Sequence, residues 1–313
     1  MVMENQTSPK EFLTLPFSIT SDSTSIFISM FFAIYISGVF INSIIIMLIY
    51  FSNHLHTPMY LFLCNLSIVD ICYTTVTVPK LLYMCISWDN IVSFKECFIQ
   101  MYFYMLAGST ENILILTMAF DRYIAICNPL RYHHILNKSH CTFITAGIWL
   151  IGSFNSFIIT YQASQMTFCQ SMTIHLFFCD GKPLMNIACT GLNTFYVVIY
   201  SEVFMFGFCM FVCIVVSYVK VIKGILHINS KEGRRKAFST CSSHLTVIII
   251  YYTTGVSVYV MPKYFCVLER VCTVLYTVVT PMINPLIYSL RNDDVKKAFK
   301  SLLQFKEELK ISS

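Results

Sequence analysis

Apolar positions in this chain do not alternate with polar ones; they gather into long uncharged runs at 26–50, 59–69, 97–110, 141–179, 203–219, 237–262 and 271–290. A helix crossing the hydrocarbon of a bilayer needs about 20 mainly apolar residues. The first, sixth and seventh runs meet that length alone. The second continues past Asp70 to about Leu82 and the third past Glu111 to about Phe120, so each is a span interrupted by one acid. The 141–179 run is too long for one helix, and its polar stretch from about Gln162 reads as an exit loop. A fifth helix then runs from about Asn193 to Val219 and contains Glu202. The pattern predicts an all-α fold, a seven-transmembrane helix bundle. A membrane β-barrel would show short alternating segments instead.

Composition agrees: 56% of the 313 residues are hydrophobic and 12% charged, against roughly 25% charged in soluble domains. The first 25 residues are polar and mixed, without a cleavable signal peptide, so the first helix is expected to direct insertion. The chain divides into an outer segment 1–25, a bundle 26–290 and a cytosolic helix and tail 291–313. In that last part Val295, Phe299 and Leu302 or Leu303 fall at helical spacing among basic residues, as in a short interfacial amphipathic helix.

Charge sets the orientation. With the N-terminus outside, inner segments hold 15 of the 21 Lys and Arg residues, among them Arg122, Lys220, Lys236 and Lys296. This is the positive-inside pattern. The net charge of +5 therefore points to membrane lipid as the anionic partner, and no nucleic-acid partner is expected. Asn5-Gln6-Thr7 is a glycosylation triplet on the outer side, and Asn137-Lys138-Ser139 is another that this topology makes cytosolic.

Most of the 14 cysteines lie within helices, where they serve as small apolar fillers. Cys97, Cys169, Cys179 and Cys189 lie at the outer side, where an oxidising exterior permits bridging. The sequence does not choose their pairing. His175 stands four residues before Cys179, so a metal site is the alternative to a disulfide-tied lid.

Asp70, Glu111 and Glu202 sit in spans where charge is costly. Asp70 lies 12 residues beyond Pro58, about 18 Å up its helix, and Glu111 stands at a similar height. Asn42, Ser67, Asp70, Glu111 and Asn284 are expected to converge. Two close carboxylates repel, so one holds a proton or a cation lies between them. A structural network, a cation-linked network that changes with state and a proton path are all open. At the inner mouth stands Asp121-Arg122-Tyr123. Adjacent helix residues do not face one another, so Arg122 is expected to point inward and Asp121 toward the second inner loop. Pro281 and Pro285 in the seventh span free backbone carbonyls and allow a bend beside Asn284 and Tyr288.

Six stretches stand in order at helix ends: Leu55-His-Thr-Pro-Met-Tyr60, Leu66-Ser-Ile-Val-Asp70, Met118-Ala-Phe-Asp-Arg-Tyr-Ile-Ala-Ile-Cys-Asn-Pro-Leu-Arg-Tyr132, Ser217-Tyr218, Lys236-Ala-Phe-Ser-Thr-Cys-Ser-Ser-His-Leu245 and Pro281-Met-Ile-Asn-Pro-Leu-Ile-Tyr-Ser-Leu-Arg-Asn292. With the cysteine-rich outer loop, this set resembles the odorant receptors among the rhodopsin-like G-protein-coupled receptors, from about Phe12 to Phe299. The chain departs from the family at Ile41 (usually Gly), at Tyr251-Tyr-Thr-Thr254 (usually Phe-Tyr-Gly-Thr), at His175-Leu-Phe-Phe-Cys179 (usually His-Phe-Phe-Cys) and at Thr190-Gly191 (usually Asp after the last lid cysteine). These departures concern the cavity and lid.

The resemblance implies bridges Cys97–Cys179 and Cys169–Cys189, and glycosylation at Asn5. It makes Asp70 and Glu111, with Asn42, Ser67 and Asn284 nearby, a candidate site for a sodium ion or water, and implies no other cofactor. Arg122 would engage the G protein once helix six moves, aided by Tyr218 and Tyr288, with Lys236 on the moving end. Asp121, Tyr123, Ile126, Pro129, Asn284 and Pro285 complete the coupling and activation set.

A small, largely apolar ligand would sit between the outer halves of helices three, five, six and seven. Tyr104, Met105, Gly108, Ser109, Glu202, Tyr252, Val256, Tyr259 and Thr277 are its candidate contacts, a mix that suits an apolar molecule held by one or two hydrogen bonds. The implied partners are a small volatile or water-borne odorant and a heterotrimeric G protein of the stimulatory olfactory type, with cyclic AMP as output at the plasma membrane. No phosphate-binding glycine loop or His-Glu-x-x-His helix suggests an enzyme. A small-solute or ion transporter is the alternative, but internal repeats and broken helices are not apparent. An opsin-like reading fails because 271–290 holds no lysine.

Overall fold

The structure, a computed structural model, describes residues 11–14, 21–169, 172–174, 176–260, 266–291 and 295–300. Seven helices among them are long and apolar enough to cross a membrane: α1 (Ser21–Phe51), α2 (Pro58–Ser87), α3 (Phe94–Cys127), α4 (Lys138–Ser164), α5 (Leu192–Leu226), α6 (Lys231–Val260) and α7 (266–291). All seven expected spans are present. Several extend past the apolar runs because polar residues close their ends. α3 starts at a capping box: Ser93 Oγ accepts from Glu96 N at 3.3 Å while Glu96 Oε2 accepts from Ser93 N at 3.2 Å. α2 starts with Pro58, whose missing N–H costs nothing there. α4 starts beneath Asn137, whose Oδ1 accepts from His140 N at 2.9 Å.

α3 is the central strut, with Met101, Leu114, Ile115 and Ala119 fully buried. α1, α4 and α5 instead turn large apolar side chains outward, including Phe40, Phe154 and Phe204. Lipid covers such faces, so their exposure in the isolated chain carries no penalty in a bilayer. α5 and α7 each contain a widened π turn, at Val203–Cys209 and Leu275–Val279.

The outer end also carries strands, which the apolar runs do not predict. β1 (Glu11–Thr14) lies between β2 (Ile91–Ser93), antiparallel to it, and β4 (Thr173–Ile174), parallel to it. Phe12 and Thr14 point inward from β1, and the Phe12 ring packs edge-on against Phe168 at 5.3 Å. β3 (Thr167–Phe168) pairs with β5 (Ala188–Thr190). Residues 11–14 are thus woven into the lid. At the inner end residues 295–300 are helical, with Val295 and Ala298 buried.

Candidate functional site

The expected residues fall into three tiers. In the outermost, Cys97 is bonded to Cys179 and Cys169 to Cys189. Gln100 on α3 fixes the first bridge, its Oε1 accepting from Cys179 N at 3.1 Å. The loop then dips into the bundle. Phe177, Phe178 and Asp180 are buried, and the Phe178 ring lies 4.6 Å from that of Tyr104. Lys182 Nζ donates to the Val258 carbonyl at the outer end of α6, at 2.9 Å. The lid therefore touches both α3 and α6.

Below it, ring contacts run on without a break. Centroids are 5.0 Å apart for Tyr104–Tyr73, 5.9 Å for Tyr73–Tyr276, 5.5 Å for Tyr276–Tyr251, 5.4 Å for Tyr251–Tyr252 and 5.0 Å for Tyr252–Phe211. Tyr252 donates to Asn112 Oδ1 on α3 at 3.1 Å. Of the expected ligand contacts, Tyr104, Gly108 and Tyr252 join this layer. Met105 and Thr277 are buried, and Thr277 Oγ1 donates to the Thr273 carbonyl of its own helix.

Others face elsewhere. Ser109 accepts a hydrogen bond from Asn155 on α4 at 2.9 Å, and Glu202 shares that same asparagine. Val256 is 55% exposed on the outer surface of α6. Helix spacing placed these residues at the right height; packing set which way they turn. Tyr73, Tyr276 and Asn112 were missed, although Tyr73 follows Asp70 by three and so shares its face.

In the middle tier Asn42, Ser67, Asp70, Glu111 and Asn284 are all buried. Asn284 Nδ2 lies 3.2 Å from Asp70 Oδ1 and 3.3 Å from Glu111 Oε1, so one amide spans both acids. Asn42 does different work, donating to the Pro281 carbonyl at 3.2 Å and to Gly38 at 3.1 Å. Pro285 has no N–H to offer the carbonyl four residues back. Asn42 of α1 supplies the missing donor, which seats the proline bend of α7 against α1.

At the inner mouth the expected separation of Asp121 and Arg122 does not hold. The long Arg122 side chain folds back, with Nη2 2.6 Å and Nε 3.0 Å from Asp121 Oδ2. Spacing rules for helix neighbours describe Cβ positions and not the reach of a guanidinium. Asp121 does face the second inner loop, where the Tyr132 hydroxyl donates to its Oδ1 at 2.8 Å. Burial, and then the Asp121 carboxylate, push the Tyr132 phenol above its ordinary pKa, which keeps its donor proton in place.

Across the mouth Tyr218 of α5 hydrogen-bonds His244 of α6, and both His244 and Cys241 lie within electrostatic reach of Arg122. Lys220 Nζ sits 5.3 Å above the Tyr123 ring. Ile126 packs on Gly224, where an added Cβ would come within 3.0 Å of it. Pro129 is exposed at the start of the turn Pro129–Arg131, and Pro285 is buried. Asn5 and the side chains of Lys236, Tyr259 and Tyr288 lie outside the described residues, as does the tail beyond residue 300.

The chain thus combines a seven-helix bundle with a bridged lid, a buried acid pair and an arginine at its inner mouth. The fold agrees with the crystal structure of squid rhodopsin, at a TM-score of 0.73 and 16% identity over 91% of this chain and 82% of that one. The family model described as "Olfactory receptor" matches residues 31–306. Relatives include Olfactory receptor 1 of Rattus norvegicus, 40% identical over 96% of this chain and 97% of its own length. Olfactory receptor 1L4 of Homo sapiens is 44% identical over 83% and 85%. The chain belongs to the olfactory receptor family. Its seven candidate spans make it a multi-pass membrane member of that receptor family.

Proposed function

We propose that a small, largely apolar odorant binds beneath the lid, against Tyr104, Met105, Gly108, Tyr252 and Thr277, and drives exchange on a stimulatory olfactory-type G protein, raising cyclic AMP. The observation that carries this reading is the unbroken run of ring contacts from Phe178 in the lid to Tyr252 on α6 and Phe211 on α5. A ligand that displaces any ring in that run changes how α6 sits on α3. Binding then works as a population shift: the odorant favours the inner-open arrangement by its difference in affinity for the two.

At the inner end, opening separates α6 from α3 and exposes Arg122 to the G protein, with Asp121, Tyr123, Ile126 and Pro129 beside it. Tyr218 gives up its His244 partner on α6 as the mouth opens. Asn284 and Pro285 connect the middle tier to this movement. The carboxylate oxygens of Asp70 and Glu111 are hard donors that suit sodium, and the two acids would hold such an ion, whose charge offsets theirs. Asn5 is the proposed glycosylation site. A ligand screen in cells reporting cyclic AMP tests the reading: a response that needs the stimulatory G protein supports it, and one that persists without any G protein rejects it.

A further inference from the structure

Four tyrosines, one each from α2, α3, α6 and α7, form a path that starts and ends on α3. Tyr104 of α3 packs on Tyr73 of α2, and Tyr73 on Tyr276 of α7. The Tyr276 hydroxyl donates to the Tyr251 hydroxyl of α6 at 3.3 Å, and Tyr251 donates to the Gly108 carbonyl of α3 at 3.5 Å. The path thus returns to α3 one turn below its start. All four rings are buried. Gly108 lies beside Tyr73, and a Cβ there would stand in ordinary contact with the Tyr73 hydroxyl at 3.6 Å. The belt is wedged between Phe178 of the lid above and the acid pair below.

The contacts through Tyr73 join α2, α3 and α7. The Tyr251 hydroxyl carries the belt across to α6, bonded to α7 on one side and to α3 on the other, and the neighbouring Tyr252 adds a separate bond to Asn112 of α3. A buried phenol that loses its partners is costly, so outward movement of α6 must break the two Tyr251 bonds, along with that of Tyr252, or exchange them for bonds to a ligand.

We propose that Tyr251 is a positioning residue whose hydroxyl clasps α6 to α3 and α7 and sets the threshold for activation. The proposal rests on the reading of α6 as the moving helix. Tyr251→Phe keeps the ring contacts and removes both hydrogen bonds. The inner-open fraction, and basal signalling with it, then rises about two- to tenfold, the factor that one or two modest hydrogen bonds govern. Maximal response to a saturating odorant stays the same. Tyr276→Phe cuts the same hydroxyl link from the other side, so the double variant gains less than the sum of the two, the signature of shared contact.

The test places spin labels on non-natural amino acids at Leu130 and Phe238, both exposed, in purified full-length receptor, and measures their distance distribution with no G protein present. Cyclic AMP is read in parallel at matched surface levels. Tyr102→Phe, which loses only a hydroxyl contact to Ser153 of α4, is the control. The expected result is a longer-distance population in Tyr251→Phe and Tyr276→Phe, absent in Tyr102→Phe. An unchanged distribution in Tyr251→Phe overturns the proposal, as does failure of both belt variants to reach the membrane, which would make the belt a folding element. A shifted distribution with cyclic AMP flat in every receptor, odorant included, upholds the belt and rejects the coupling reading instead.

Discussion

Arg122 is held by its own neighbour: its guanidinium makes two hydrogen bonds to one oxygen of Asp121, while Tyr132 of the second inner loop takes the other oxygen. Asp121 is fully buried, and removing one partner of a buried ion pair costs about 3–5 kcal/mol. Arg122→Ala would therefore confuse misfolding with lost coupling. Arg122→Gln retains a donor toward Asp121. It is expected to reach the surface and bind odorant while losing the G-protein response, whereas Asp121→Asn loosens the arginine and raises basal cyclic AMP. Normal signalling by Arg122→Gln removes Arg122 from the coupling set.

The shared amide of Asn284 predicts how the acid pair responds to ions. Replacing sodium with a large organic cation should raise basal activity in the native receptor, because the closed arrangement loses the charge that relieves repulsion between Asp70 and Glu111. Asp70→Asn should abolish that dependence, read as basal cyclic AMP against sodium concentration in membranes. A dependence retained in Asp70→Asn would place the ion elsewhere.

α4 packs tightly on α3 at Gly152, where an added Cβ would lie 2.5 Å from Thr110 Oγ1. Gly152→Ala is expected to destabilise the bundle by about 1–3 kcal/mol through overpacking, seen as a lower unfolding temperature of the purified receptor. That hydroxyl has no hydrogen-bond partner among the described residues. Thr110→Ala should relieve the clash, so the double variant recovers most of the loss. Failure to recover would mean that the close approach is between backbones alone.

Met105 and Val256 were both expected to touch ligand, yet Met105 is 8% exposed and Val256 55%. Met105→Ala should reorder potencies across an odorant panel by tenfold or more for some ligands. Val256→Ala should leave every potency within about twofold, as for a surface change away from packed features. The reverse pattern would require α6 to be rotated in the odorant-bound receptor.

Run length and interrupted charge were enough to read the seven spans, and counting turns brought Asp70 and Glu111 to one height, where Asn284 joins them. The sequence did not show the strands. β4 has two residues, too few for a period, and β1 pairs with residues about eighty and one hundred and sixty positions away. Rotation about helix axes was equally hidden. Ser109 and Glu202 turn to Asn155, and the tyrosine layer assembles from α2, α3, α6 and α7, because side chains packed between helices decide orientation. Asn42 was read as part of the acid cluster. Its role toward Pro281 follows from the missing N–H of Pro285, a signal present in the sequence but meaningful only once α1 lies beside α7.

Coupling is tested most directly by odorant-evoked cyclic AMP in cells that carry the receptor at the plasma membrane, with and without the stimulatory olfactory-type G-protein α subunit. The account predicts a dose-dependent rise that vanishes when the subunit is removed and returns when it is restored. An equal response in cells lacking every G-protein α subunit would contradict it.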